Sequence, residues 1–87
     1  MTARLDLPII GRVYRHYKGD YYIVRAIAKH SETCEPMVIY QALYGDGELW
    51  ARPLTLFMSK IDSSKCPGVA QEHRFELQKI KSKHQEE

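Results

Sequence analysis

From Arg12 onward the chain is a series of short runs of β-forming residues, several alternating with a two-residue period, separated by turn-forming clusters. Arg12 to Tyr17 is the first run. It ends at Lys18-Gly19-Asp20, whose glycine suits a tight hairpin turn. Tyr21 to His30 reads as a central strand, with Tyr22, Val24, Ala26 and Ala28 on one parity. Ile23 and Ile27 fall on the other, which implies either burial on both faces or a β-bulge that shifts the register midway. Ser31 to Pro36 is a turn by composition. Met37 to Tyr44 is apolar on both parities and is expected inside the sheet. Gly45-Asp46-Gly47 is the strongest turn signal, and it leads to a fourth strand, Glu48 to Arg52.

Pro53 closes that strand and suits the first position of a helix. Leu54, Phe57, Met58 and Ile61 then recur at the spacing of one or two helical turns packed on a core. Asp62 to Glu72 reads as a polar loop. His73 to Ile80, with Phe75 and Leu77 on one side, fits a closing strand or a short helix. The expectation is a mainly all-β fold, a small five-stranded SH3-like barrel with one short helical turn before the last strand; an open antiparallel sheet covered by a helix is the alternative. Closure would remove exposed strand edges. Residues 1–10 read as an extended N-terminal arm, 11–80 as one β-barrel-like domain, and 81–87 as a charged, frayed tail.

Composition narrows the class. The chain has 87 residues, 44% apolar and 28% charged, as in one ordinary globular domain. The uncharged stretch Met37 to Gly45 falls short of a membrane helix, and Asp6 and Pro8 interrupt any signal-like run, so a cytoplasmic protein with no membrane partner is expected. Cys34 and Cys66 then read as reduced thiols. Net charge is only +2, but residues 1–30 hold six basic and two acidic side chains. That excess can attract an anionic partner without reaching the density of a non-specific DNA binder.

The segments Tyr14-Arg15-His16-Tyr17-Lys18-Gly19, Ala28-Lys29-His30-Ser31-Glu32-Thr33, Val38 to Tyr40, Ala42-Leu43-Tyr44-Gly45-Asp46, Trp50-Ala51-Arg52-Pro53 and Met58 resemble, in this order, the bacterial domain of unknown function DUF1653. The likeness spans about Gly11 to Phe75. It implies a small β-barrel-like domain and favours a strand around Phe75, through Arg74-Phe75-Glu76. It implies no activity. Cys34 and Pro36 depart from the family's pattern in the turn after Thr33.

Two groups of residues could carry a function. His16, His30, Asp46 and Arg52 lie near strand ends and suit acid–base or anion-binding chemistry, the arginine fork matching a phosphate or carboxylate; the structural alternative is that each serves a local turn or ion pair. Tyr14, Tyr17, Tyr40, Tyr44 and Trp50 form an aromatic surplus that a domain this small cannot bury entirely. Rings beside Arg15, Lys18 and Arg52 can stack on bases while cations meet phosphates, or dock a peptide. The resulting candidate ligand-binding set is Tyr14, His16, Tyr17, His30, Tyr40, Asp46, Trp50 and Arg52. It supports a binding module for a nucleotide, nucleic acid or other anionic ligand, with a protein-interaction module or a small His/Asp/Arg enzyme as alternatives. No catalytic residue, metal site or cofactor is assigned. His30, Cys34, Cys66 and His73 lack the paired spacing of a zinc site, and Gly45-Asp46-Gly47 fits neither phosphate-loop nor dinucleotide spacing. Trp50 and Arg52 share strand parity and are expected to face outward or to line a groove.

Overall fold

The computed structural model describes residues 7–62, 68 and 70–79. Arm residues 1–6, Cys66 and the tail 81–87 lie outside the described residues. Five strands form one antiparallel sheet: β1 (Val13–His16), β2 (Tyr21–Lys29), β3 (Pro36–Ala42), β4 (Leu49–Pro53) and β5 (Phe75–Leu77), with a helical turn α1 (Leu54–Phe57) before the last. The order across the sheet is β4-β3-β2-β1-β5. The first four strands are a meander, and the chain then returns to lay β5 against β1.

This matches the expected strands and helical turn, but not barrel closure. β4 and β5 are the two edges and do not pair. The sheet curls far enough for side chains to span the seam. Phe57 of α1 stacks on Phe75 of β5 with ring centroids 4.0 Å apart and planes 7° apart. A single bridge between Lys60 and His73 continues the contact. The helical turn is also shorter than its spacing suggests. Met58 leaves helical geometry with ψ near 4°, the Ser59 hydroxyl donates to the Leu56 carbonyl, and Ile61 N–H donates to the Glu72 carbonyl. Pro53 caps α1 from one position earlier, as the last residue of β4.

The register decides which side chains face inward. Tyr22 lies opposite Ala42, Val24 opposite Tyr40, and Tyr40 opposite Trp50. Between Val24 and Ala26 the β2–β3 register shifts, so that Ile27 lies opposite Val38. Arg25 is the extra residue of a β-bulge. A one-residue step exchanges the two faces of a strand. The bulge therefore brings Ile27 to the inner side with Tyr22 and Val24, and turns Ala26 and Ala28 outward. Tyr14, Val24, Val38, Tyr40, Leu54, Phe57 and Phe75 form the buried core.

Tight turns hold the meander. Gly19, Gly45 and Gly47 have positive φ, which costs glycine least. Gly47 N–H donates to the Tyr44 carbonyl, and its own carbonyl accepts from Gln41. Gln71, buried in the return loop, donates to the carbonyls of Arg15, His73 and Arg74 and accepts from the Arg15 guanidinium, tying the loop to β1.

Phe57 is fully buried and touches Tyr14, Tyr40 and Phe75 edge-on or face-on. Replacing Phe57 with Ala should cost about 3–5 kcal/mol by denaturant titration. A loss below about 1 kcal/mol would show that the seam does not depend on this ring.

Candidate functional site

The inner face reaches solvent at the β4 edge, where strand pairing sets Trp50 beside Tyr40 and Arg52 beside Val38. Trp50 is 47% exposed, whereas Leu49 and Ala51 turn to the other face and are exposed as well. Trp50 and Arg52 thus lie on the same side of β4, at the rim of the core. The Arg52 guanidinium lies 5.6 Å from the Phe75 ring centroid, and its Nε donates to the Tyr40 hydroxyl at 3.0 Å. It pairs with no carboxylate among the described residues. A half-buried cation is tolerated here because guanidinium is weakly hydrated and attracted by an aromatic face. The outer nitrogens of the fork are left for another acceptor.

His16 lies on the same ring from the other side, edge-on to Phe75 at 5.0 Å. Its Nδ1 accepts the Lys18 backbone N–H at 3.1 Å, which leaves Nε2 as the donor of the neutral ring. Burial, then Arg52, Arg74 and Lys18, lower its pKa to about 4, with only Asp20 acting to raise it. Three cations therefore act on one spot against one carboxylate. Tyr22 and Tyr44 complete the wall, their hydroxyls 2.8 Å apart. Burial and that hydrogen bond push the Tyr22 pKa well above its ordinary value. Tyr44 and Trp50 also border a cleft of about 230 Å³ that includes Asp46 and Glu48.

The structure brings His16, Tyr40 and Arg52 together around Phe75, with Trp50 opposite Tyr40, Tyr17 stacked obliquely on His16 at 4.6 Å and Asp46 near Trp50 on the exposed turn. Tyr14 and His30 stand apart. Tyr14 is a core ring whose hydroxyl accepts the Ile9 N–H. His30 ends the far side of β2, roughly 30 Å along the strand from His16 at ~3.3 Å per residue, and its Nδ1 accepts the N–H groups of Glu32 and Thr33. In that turn Cys34 is free and exposed, with a left-handed φ of 64°. Phe75 and Tyr22 were missing from the sequence-based set. Their inward parity marks them as core, and only the curl of the sheet shows that Phe75 meets His16 and Arg52 and that Tyr22 meets Tyr44.

The folded protein keeps His16 neutral down to about 4, while an unfolded chain protonates it near 6.5. Between these values the unfolded state binds more protons, so stability falls as pH drops from about 6.5 to about 4. The urea midpoint should decline through that window, and His16→Gln should flatten the decline. An NMR titration midpoint of His16 near 6.5 would contradict the buried, cation-flanked setting.

Among the described residues no helix is long and apolar enough to cross a membrane, and no three His, Cys, Asp or Glu residues cluster in a way that could hold a metal ion. Comparison with curated proteins gives no match. Among solved structures, the chain is similar to the crystal structure of a protein from Bordetella bronchiseptica described as belonging to DUF1653, with 30% identity and a TM-score of 0.68 over 85% of this chain and 92% of that one. The model of the family described as protein of unknown function (DUF1653) matches residues 12–77. The chain belongs to the DUF1653 family.

Proposed function

We propose that the surface formed by His16, Tyr44, Trp50 and Arg52 around the β4 edge is a binding site for an anionic ligand carrying a flat ring, a nucleotide or single-stranded nucleic acid. One observation carries this reading: Arg52 is half-buried on an aromatic ring with its outer nitrogens unengaged among the described residues, next to the exposed Trp50. A phosphate meeting that fork gains charge-assisted hydrogen bonds. His16 Nε2–H supplies a neutral donor, and the field of Lys18 and Arg74 favours the same charge. Trp50 and Tyr44 offer faces on which a base can stack, at about 1–3 kcal/mol per base.

The alternatives find less support. An enzyme using both histidines needs His16, His30, Asp46 and Arg52 on one substrate, and His30 lies at the opposite end of β2. A protein-interaction role draws on the other face of the sheet, where Tyr21 and Leu43 border a shallow concavity between the Lys18 and Gly45 turns. Among the described residues no charged side chain lines that concavity to orient a partner.

Titration with nucleoside monophosphates and short single-stranded oligonucleotides should change Trp50 fluorescence and move the amide signals of His16, Arg52 and Phe75. Added salt should weaken the response. Arg52→Ala should lower affinity at least ~10-fold, about 1.4 kcal/mol, at a stability cost of only about 1 kcal/mol, since no buried carboxylate is stranded. Unchanged Trp50 fluorescence and Arg52 amide shifts with both ligand classes would overturn the proposal. A stability loss of about 3–5 kcal/mol would instead mark Arg52 as structural.

A further inference from the structure

Among the described residues, strand β5 is bonded on one side only. Tyr17 N–H donates to the Arg74 carbonyl and Gln78 N–H to the Val13 carbonyl, with Arg15 opposite Glu76 between them. Bonded pairs alternate with unbonded ones in an antiparallel ladder. The N–H and C=O groups of Phe75 and Leu77 therefore point away from β1. Upstream, this edge is shielded by Ser59, whose carbonyl accepts the Arg74 N–H, and by the bridge from Lys60 to His73. The shield stops there. Among the described residues no backbone group bonds to Phe75 or Leu77 on the open side.

Beside this strand lies a cleft of about 380 Å³ with Leu7, Ile9, Met58 and Leu77 among its walls. Leu7 is 55% and Ile9 47% exposed. Among the described residues its acidic side chains are Glu72 and Glu76, with His73 beside them, and no described lysine or arginine lines it. Glu72 has Lys60 at 3.8 Å, both largely exposed, and such a surface pair contributes only ~0–1 kcal/mol. Glu76 forms no ion pair among the described residues. The cleft is thus apolar with an acidic rim, on a chain whose net charge is positive.

We propose that β5 and this cleft bind an extended peptide as a sixth strand, with alternate apolar side chains in the cleft and intervening basic side chains near Glu72 and Glu76. Main-chain bonds to Phe75 and Leu77 supply affinity, as in other cases of strand addition, and pockets for every second side chain supply selectivity. The period of two that defines a strand separates the apolar and basic positions of such a peptide. This surface shares Phe75 with the anionic-ligand site proposed above but not Arg52, His16 or Trp50, so the signals of Ile9 and Leu77 distinguish it.

The test uses the full chain and two blocked synthetic pentapeptides, one alternating valine with lysine and the other alternating valine with glutamate. The lysine peptide should move the amide signals of Ile9, Phe75 and Leu77 in a saturable way at up to millimolar concentration, and the glutamate peptide should not. Glu76→Lys, a change at an exposed position, should weaken binding at least ~10-fold, while Arg52→Ala should leave it unchanged. Shifts confined to other surfaces, equal binding of both peptides, no binding at millimolar concentration, or a Glu76→Lys variant that binds as well as the parent would overturn the proposal.

Discussion

The contact between Phe57 and Phe75 decides the shape of this molecule. A five-stranded sheet this small has two raw edges and too little area to cover them. Here the edges are drawn together by two parallel rings 4.0 Å apart, one from the turn after β4 and one from the last strand. Tyr14 and Tyr40 pack edge-on against Phe57, and Tyr22 and Tyr40 against Phe75. Edge-to-face contacts with aromatic neighbours each add about 0.5–1.5 kcal/mol beyond area burial. The hydrogen-bonded sheet stays open, and the aromatic cluster closes the fold in its place.

The same cluster prepares the candidate site. Phe75 carries His16 edge-on and Arg52 across its face, so a ring needed for packing also organises two polar groups. Burial, followed by the nearby charges of Arg52, Arg74 and Lys18, makes a protonated imidazole unfavourable, so His16 stays neutral. The Phe75 ring and the Tyr40 hydroxyl partly replace water around the half-buried Arg52 guanidinium. The outcome is a local surplus of donors and positive charge that the net charge of +2 conceals.

Strand positions and turns were legible because they are local. Gly19 and Gly45-Asp46-Gly47 announce their hairpins, and the parity of Val38, Tyr40 and Ala42 matches their burial. The conflict of parity at Ile23 and Ile27 pointed to the bulge, although burial on both faces fitted equally well. What stayed hidden was long-range. Nothing local says whether β4 meets β5, and so nothing local distinguishes a closed barrel from a curled sheet with an aromatic seam. The candidate site suffered for the same reason: His16, Arg52 and Phe75 come from three different strands, and their meeting depends on curvature. His30 looked equivalent to His16 in sequence, since both sit at strand ends. Only the direction of β2 separates them.

Arg25 shows how chain length can carry information that residue identity does not. Its side chain is exposed, and no described residue engages it. Yet a pleated ribbon has only two phases, and this position is where β2 passes from one to the other. What the bulge accommodates there is a residue, not an arginine in particular. Running in unbroken alternation through this position, without the bulge, β2 would turn Ala26 and Ala28 to the core and Ile27 to solvent, whereas loss of Arg25 would restore plain alternation with Ile27 still facing inward. At such a position the fold constrains the phase of the strand and leaves the chemistry of the side chain open.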